Sequence, residues 1–193
     1  MKKANDFNPI KFGKIITAQF KKATKEPAEN LKFYLDPDNI NQCFILIHNI
    51  GGNKDEYTDG EYLVRMVFPN DFPFAPPSFY FMTPNGLYMT EKKVCISIGE
   101  YHKDDYRATL GMIGFAKNLI SGMIGWKEMG SGINLLRPTA NDIIRHAKES
   151  HQYNLEKNAA IVEKINECFN MYSATWKLNL DELEPGYKKR LGF

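Results

Sequence analysis

The chain is poor in cysteine, with only three in 193 residues, at positions 43, 95 and 168, and no two of them make a CxxC pair. An odd, widely spaced set disfavours both a disulfide framework and a thiol zinc site, and a reducing compartment suits it best. Excess charge of one sign is also missing: 25 Lys and Arg stand against 23 Asp and Glu, a formal charge of +2. The basic residues are scattered and lack aromatic stacking partners, so nucleic acid is not the expected partner. Lys2 and Lys3 are not followed by the apolar core of a signal peptide, which argues against secretion. No apolar run of about 20 residues is present, so no membrane span is expected in this chain. The most membrane-like stretch, Thr109 to Trp126, holds Lys117, Asn118 and Ser121. A lysine at mid-bilayer costs roughly 2.5 to 3.5 kcal/mol, so this stretch reads as a buried helix. There is no internal repeat or low-complexity tract.

What remains is ordinary globular composition, 43% hydrophobic and 25% charged, in a length suited to one core. Asn8-Pro9 followed by Phe12, Ile15, Ile16, Phe20 and Ala23 predicts an amphipathic helix ending near Lys25-Glu26-Pro27. Leu31 to Leu35, Gln42 to His48, Tyr62 to Phe68 and Ser78 to Met82 read as short strands. The turn-rich pieces between them, such as Asp36-Pro37-Asp38-Asn39 and Gly51-Gly52-Asn53, imply an antiparallel meander. An irregular stretch from Thr83 to Ala108 follows, too long for a simple connector and of the kind that carries function. Helical spacing resumes over Thr109 to Ile124, Thr139 to His151 and Leu155 to Trp176. Strands first and helices afterwards make an α+β fold. The expected organisation is one domain over residues 8–176 and an exposed charged tail over 177–193.

Three pieces of this layout carry chemistry. Phe68-Pro69-Asn70-Asp71-Phe72-Pro73-Phe74-Ala75-Pro76-Pro77 follows a strand with four prolines and three phenylalanines. No central strand tolerates so many missing donors, so the segment is a stiff surface corner. It serves either as a plug for the sheet edge or as a docking ledge. Thr83-Pro84-Asn85-Gly86 comes after the last strand, and Cys95 lies ten residues beyond Asn85 within Val94-Cys95-Ile96-Ser97-Ile98. Singly, an Asn-Gly pair is a turn former and a cysteine a small buried hydrophobe.

Together, in the order strand, FPxxFPFxPP, strand, TPNG, cysteine, helix, they resemble the ubiquitin-conjugating enzyme family. Its usual members carry FPxxYPFxPP, then His-Pro-Asn, then the active-site cysteine. Thr83 stands where that histidine would be, which is similar to a subclass usually tail-anchored in the endoplasmic reticulum membrane. Tyr57-Thr58-Asp59-Gly60-Glu61-Tyr62 and Ser150-His151-Gln152-Tyr153-Asn154-Leu155 extend the likeness, which covers roughly residues 8–172. The resemblance implies that Cys95 takes ubiquitin, or a relative of it, as a thioester from an activating enzyme and passes it, with a ligase, to a substrate lysine or hydroxyl. Cysteine supplies both nucleophile and leaving group, so no cofactor or metal is needed. Asn85 is the implied donor to the oxyanion, with turn closure as its simpler role.

The resemblance also places partner contacts and exposes departures. Phe74 matches an aromatic of one ligase-facing loop, while Tyr106, Arg107 and Ala108 stand where the other such loop commonly has tryptophan and proline. Altered partner choice is the expected consequence, with Phe74, Arg107 and Ala108 at the interface. Lys14, Lys21 and Lys22 on the first helix either meet the activating enzyme or are solvated helix charge. Ser97 replaces a common aspartate, which leaves the acceptor, lysine or hydroxyl, open. His102, with Asp104 and Asp105 nearby, also invites a Cys-His-Asp protease reading. Two further alternatives are a non-catalytic ubiquitin-binding scaffold of the same fold and a plain interaction module that uses the Pro-Phe ledge. The expected location is cytoplasmic, or the cytosolic face of the endoplasmic reticulum if an anchor follows in a longer chain.

Overall fold

Helix α1 (Pro9–Lys25) forms where the apolar spacing predicts it, with Ile16, Phe20 and Ala23 buried on one stripe and Lys14, Lys22 and Lys25 exposed. The computed structural model describes residues 9–26, 28–50, 55–94, 106–130 and 132–173. The turn at Gly51-Gly52-Asn53 and the expected tail over 177–193 lie outside them.

Strands β1 (Leu31–Leu35), β2 (Gln42–His48), β3 (Glu61–Val67) and β4 (Ser78–Phe81) pair antiparallel in chain order, the expected meander. Their register aligns Phe33, Ile45, Val64 and Phe81 across all four strands, each at most 3% exposed. Because side chains alternate along a strand, this row and the next, Leu35, Cys43, Met66 and Phe79, fall on one face. Helices cover that face. Phe79 meets Phe115 edge-on, with ring centroids 6.4 Å apart, and Phe20 meets Tyr172 in the same way at 5.6 Å.

Helix α2 (Gly111–Ile124) is the stretch that looked most like a membrane segment. It buries Met112, Phe115, Ala116, Leu119, Ile120 and Met123, while Lys117 and Ser121 point to solvent. Among the described residues no helix is long and apolar enough to cross a membrane. A 3-10 turn over Ala108–Leu110 leads into α2, and another over Trp126–Glu128 follows it.

Helices α3 (Ala140–Lys157) and α4 (Ala159–Ser173) complete the α+β fold. Thr139 caps α3 with a capping box: its hydroxyl accepts from the Asp142 N–H at 3.2 Å, and the Asp142 carboxylate accepts from the Thr139 N–H at 2.8 Å. The sequence reading ended this helix at His151, and the structure corrects that. The apolar stripe Ile143, Ala147 continues as Ser150, Asn154 and Asn158, which share the buried face but are polar. Spacing judged by hydrophobicity therefore stops a turn too early, and the real break comes at Asn158.

Candidate active site and docking face

After β4 the chain turns through Thr83-Pro84-Asn85-Gly86. Thr83 and Asn85 are both fully buried. The Asn85 side-chain oxygen accepts from the Leu87 N–H at 3.0 Å and from the Tyr88 N–H at 2.8 Å. Its amide nitrogen donates to the carbonyls of Thr83 and Tyr88, both at 3.4 Å. The oxygen side is thus firmly held, and the donor side is held only at the long end of hydrogen-bond geometry. Turn closure, the simpler of the two roles read from sequence, is what the described contacts display. Gly86 continues the turn at φ 84°, a left-handed conformation that glycine adopts at little cost.

The segment beyond the turn runs back along the sheet. Tyr88 stacks on Phe81 at 5.0 Å and 10°. The Glu91 N–H donates to the Phe81 carbonyl at 2.7 Å, and the Val94 N–H to the Phe79 carbonyl at 2.8 Å. A second loop buttresses this segment: the Leu136 N–H donates to the Leu87 carbonyl at 2.7 Å, and the Asn134 amide to the Lys93 carbonyl at 2.9 Å. The chain is therefore anchored up to the residue before Cys95. Cys95 itself lies outside the described residues, as do Ser97, His102, Asp104 and Asp105. The other two cysteines are core residues: Cys43 is 0% exposed and Cys168 3%. Burial, with Cys168 nearby, pushes the Cys43 thiol well above its ordinary value, so thiolate is withheld there.

Thr83 is the centre of a buried polar network that sequence reasoning missed. Its hydroxyl accepts from the Leu63 N–H at 2.9 Å and donates to the Asn154 side-chain oxygen at 2.6 Å. That oxygen also accepts from the Asn158 amide at 2.8 Å. The Asn154 amide donates to the Glu61 carbonyl at 3.1 Å and to the Glu61 carboxylate at 3.0 Å. Ser150, one turn earlier, accepts from the Glu61 N–H at 2.8 Å. Polar residues every four positions, continuing an apolar stripe, were the signal in the sequence.

The expected partner-binding residues take no part in this network. In the Pro-Phe corner Phe68 and Phe72 are buried against each other at 4.7 Å, whereas Phe74 is 80% exposed. One segment thus supplies both a plug and a ledge. Burial, and then the charge of the Asp71 carboxylate, push the Tyr106 hydroxyl up to about 12. Arg107 is exposed, and the Ala108 carbonyl accepts from the Gln19 amide of α1 at 3.3 Å. A cavity of about 240 Å3 opens between Lys22 and Ala23 of α1 and Ala108, Leu110 and Met112. Lys21 is partly buried, and burial together with the charge of Lys25 lowers its ammonium below the ordinary value. Lys14 is exposed on α1. Among the described residues no cluster of His, Cys, Asp and Glu could hold a metal ion.

No protein-family model matches the chain. Individual proteins do. The chain is 28% identical over 145 residues to "Ubiquitin-conjugating enzyme E2 6" of Eremothecium gossypii, a match covering 75% of this chain and 58% of that protein. It is 30% identical over 105 residues to "Ubiquitin-conjugating enzyme E2 J2-like" of Dictyostelium discoideum, covering 54% of this chain and 61% of that one. It is 25% identical over 175 residues to "Ubiquitin-conjugating enzyme E2 34" of Arabidopsis thaliana, covering 88% and 72%. The chain spans about three fifths of the length of the first two. Among solved structures, human ubiquitin-conjugating enzyme E2 G1 superposes with a TM-score of 0.50 at 22% identity, covering 62% of this chain and 98% of that one. That superposition shows the ubiquitin-conjugating-enzyme fold, and the sequence relatives support the same family.

Proposed function

We propose that this chain is a ubiquitin-conjugating enzyme that carries ubiquitin, or a modifier like it, as a thioester on Cys95. One observation carries the reading: a fully buried asparagine turn, held by four hydrogen bonds, stands ten residues before a cysteine in the fold of E2 enzymes. In loading, the Cys95 thiolate attacks the thioester that joins the modifier's carboxyl terminus to a cysteine of the activating enzyme; the new C–S bond forms, the old one breaks, and the activating enzyme's thiolate leaves. In transfer, the nitrogen of an acceptor lysine, or the oxygen of a hydroxyl, attacks the thioester carbonyl. The C–S bond breaks, the thiolate leaves, and the acceptor sheds its proton as an amide or ester forms.

Negative charge develops on the carbonyl oxygen during that attack, and a fixed donor lowers the barrier by a few kcal/mol. Asn85 suits this role. Its oxygen is anchored at 2.8 and 3.0 Å, which fixes the amide plane, while its donor hydrogens sit on carbonyls 3.4 Å away, so that giving up either of those long bonds costs little. The exposed Phe74, together with Arg107 and Ala108, is the ligase-facing surface, and Lys14 and Lys21 of α1 meet the activating enzyme. Residues 8–176 act as one catalytic domain. Thr83 aligns the chain with the threonine-containing subclass, and the cytosolic side of the endoplasmic reticulum is its place of action where an anchor is present.

The test is a charging assay with activating enzyme, ATP and ubiquitin, on wild type and Cys95→Ala, resolved with and without reductant. The expected result is an adduct that reductant removes and that Cys95→Ala lacks. If ubiquitin and its relatives give no adduct, the chain is a non-catalytic scaffold of the same fold. Discharge of the charged protein onto free lysine against free threonine then identifies the acceptor.

A further inference from the structure

We propose that Asn154 of α3 is a positioning residue for the Asn85 turn, acting through the Thr83 hydroxyl; this rests on the transfer reaction proposed above. Among the described residues, the contacts form one chain. The Asn154 oxygen accepts from Thr83 at 2.6 Å, and the Thr83 carbonyl accepts from the Asn85 amide at 3.4 Å. Thr83 is held from two sides, since the Leu63 N–H of β3 donates to the same hydroxyl at 2.9 Å. Its backbone is tied to that strand as well, the Thr83 N–H donating to the Leu63 carbonyl at 3.4 Å.

The orientation of the Asn154 amide is dictated by its neighbours. On its oxygen side are two donors, Thr83 and Asn158; on its nitrogen side are two acceptors, both from Glu61. The Glu61 carbonyl and carboxylate can only accept, so a flipped amide would set its oxygen against two acceptors. A residue 1% exposed and satisfied on both sides defines one geometry. That geometry is passed to Thr83, the position at which this sequence departs from the usual histidine. The donor side of Asn85 is the weakly held side and rests on two carbonyls, Thr83 and Tyr88, each at 3.4 Å, so the placement of the Thr83 carbonyl sets one of the two directions its hydrogens take. A shift of α3 therefore reaches the site of the oxyanion through two side chains.

A merely structural residue and a positioning residue are separated by a double-mutant cycle in the full chain. Asn154→Ala is expected to slow discharge of the thioester about tenfold when Asn85 is present. In the Asn85→Ala background the same change should slow it less than about twofold, since coupled residues are not additive. Thr83→Val should behave like Asn154→Ala, and Thr83→Ser, which keeps the hydroxyl, should restore most of the rate. An equal slowing in both backgrounds would make Asn154 a stability residue and overturn the proposal.

A second readout needs no turnover. In the 15N-labelled full chain, the side-chain amide hydrogens of Asn85 should exchange slowly with solvent in wild type and in Thr83→Ser. They should exchange faster in Asn154→Ala and Thr83→Val, at a temperature where backbone amides of β2 and β3 remain protected. Unchanged Asn85 exchange in a folded Asn154→Ala protein overturns the proposal, whether or not a thioester forms. A chain that fails to charge while Asn85 exchange responds as described would instead reject the transfer function and retain the relay.

Discussion

The two ends of this fold use side chains in opposite ways. At the Asn85 end, Thr83, Asn85, Ser150 and Asn154 are at most 1% exposed, and each is hydrogen-bonded. On the surface proposed for ligase docking, Phe74 is 80% exposed, Arg107 is exposed and Leu110 is 43% exposed. Burying a polar group costs free energy unless it is bonded, and a fully bonded one has a single geometry. Chemistry at a carbonyl needs such fixed geometry, whereas docking needs accessible apolar area. The difference therefore matches what each end is proposed to do, and it can be attacked from either side.

The largest effect is expected inside the Pro-Phe corner, where plug and ledge lie two residues apart. Phe72→Ala removes a fully buried ring packed on Phe68 and should cost about 3 to 5 kcal/mol in urea unfolding. Phe74→Ala should stay within about 0.5 kcal/mol of wild type. It should instead weaken binding of a cognate ligase by about tenfold or more. If Phe74→Ala destabilises as much as Phe72→Ala, or leaves ligase affinity untouched, the division of labour within the corner is wrong.

A middle-sized effect compares two glycines, one at each end. Gly86 has φ 84° and Gly111 has φ 63°, so alanine is strained at both, by about 1 to 3 kcal/mol. Their surroundings differ. A β-carbon on Gly86 would sit 3.3 Å from the Ile143 backbone and the His146 ring of α3, while one on Gly111 would meet nothing within 4 Å. Gly86→Ala should therefore slow ligase-free discharge as well as lower the melting temperature, and Gly111→Ala should only lower the melting temperature. Equal slowing by both would show that the α3 contact has no special bearing on the turn.

Much of this was readable before any coordinates. The four strands announce themselves because short runs rich in β-branched and aromatic residues, such as Gln42 to His48 and Tyr62 to Phe68, are bounded by turn-forming pieces. The Pro-Phe corner, the asparagine turn and Cys95 are readable as an ordered series, since proline, glycine and asparagine impose backbone constraints whatever surrounds them. The α3 network was not readable in the same way. Ser150, Asn154 and Asn158 occupy core positions with polar side chains, and only the partners across the fold, Thr83 and Glu61, make that placement favourable. Nor does a sequence reveal that of Phe68, Phe72 and Phe74 the last alone faces outward, because that depends on the turn closed by the Phe74 N–H on the Asp71 carbonyl at 2.8 Å.

The smallest effect concerns acid. Among the described residues the histidines are His48, His146 and His151, and all belong to the Asn85 end. His48 lies across the sheet from Glu61, whose carboxylate is bonded to Asn154 and lies 3.5 Å from His151. Burial, and then the charge of Lys32, hold the His48 imidazole below its usual value of 6.5, against the opposing pull of Glu61 and Glu29. His146, against Gly86, is lowered by burial and then by Arg145, against the opposing pull of Glu149 and Asp142. In both cases the unfolded chain takes up its proton at a higher pH than the folded chain. The associated stability is therefore fully present above 6.5 and is lost as pH falls through the lower folded value. Urea midpoints measured from about pH 7.5 down to about pH 5.5 should fall in wild type and fall less in His48→Gln with His146→Gln, the window in which histidine titrates. Protection of the Asn85 side-chain amide, taken relative to an unstructured asparagine at the same pH, should fall over the same range, while ligase affinity at the Phe74 end stays level. A double variant that loses as much stability as wild type would place the acid sensitivity outside the site end, and the contrast between the two ends would lose its electrostatic part.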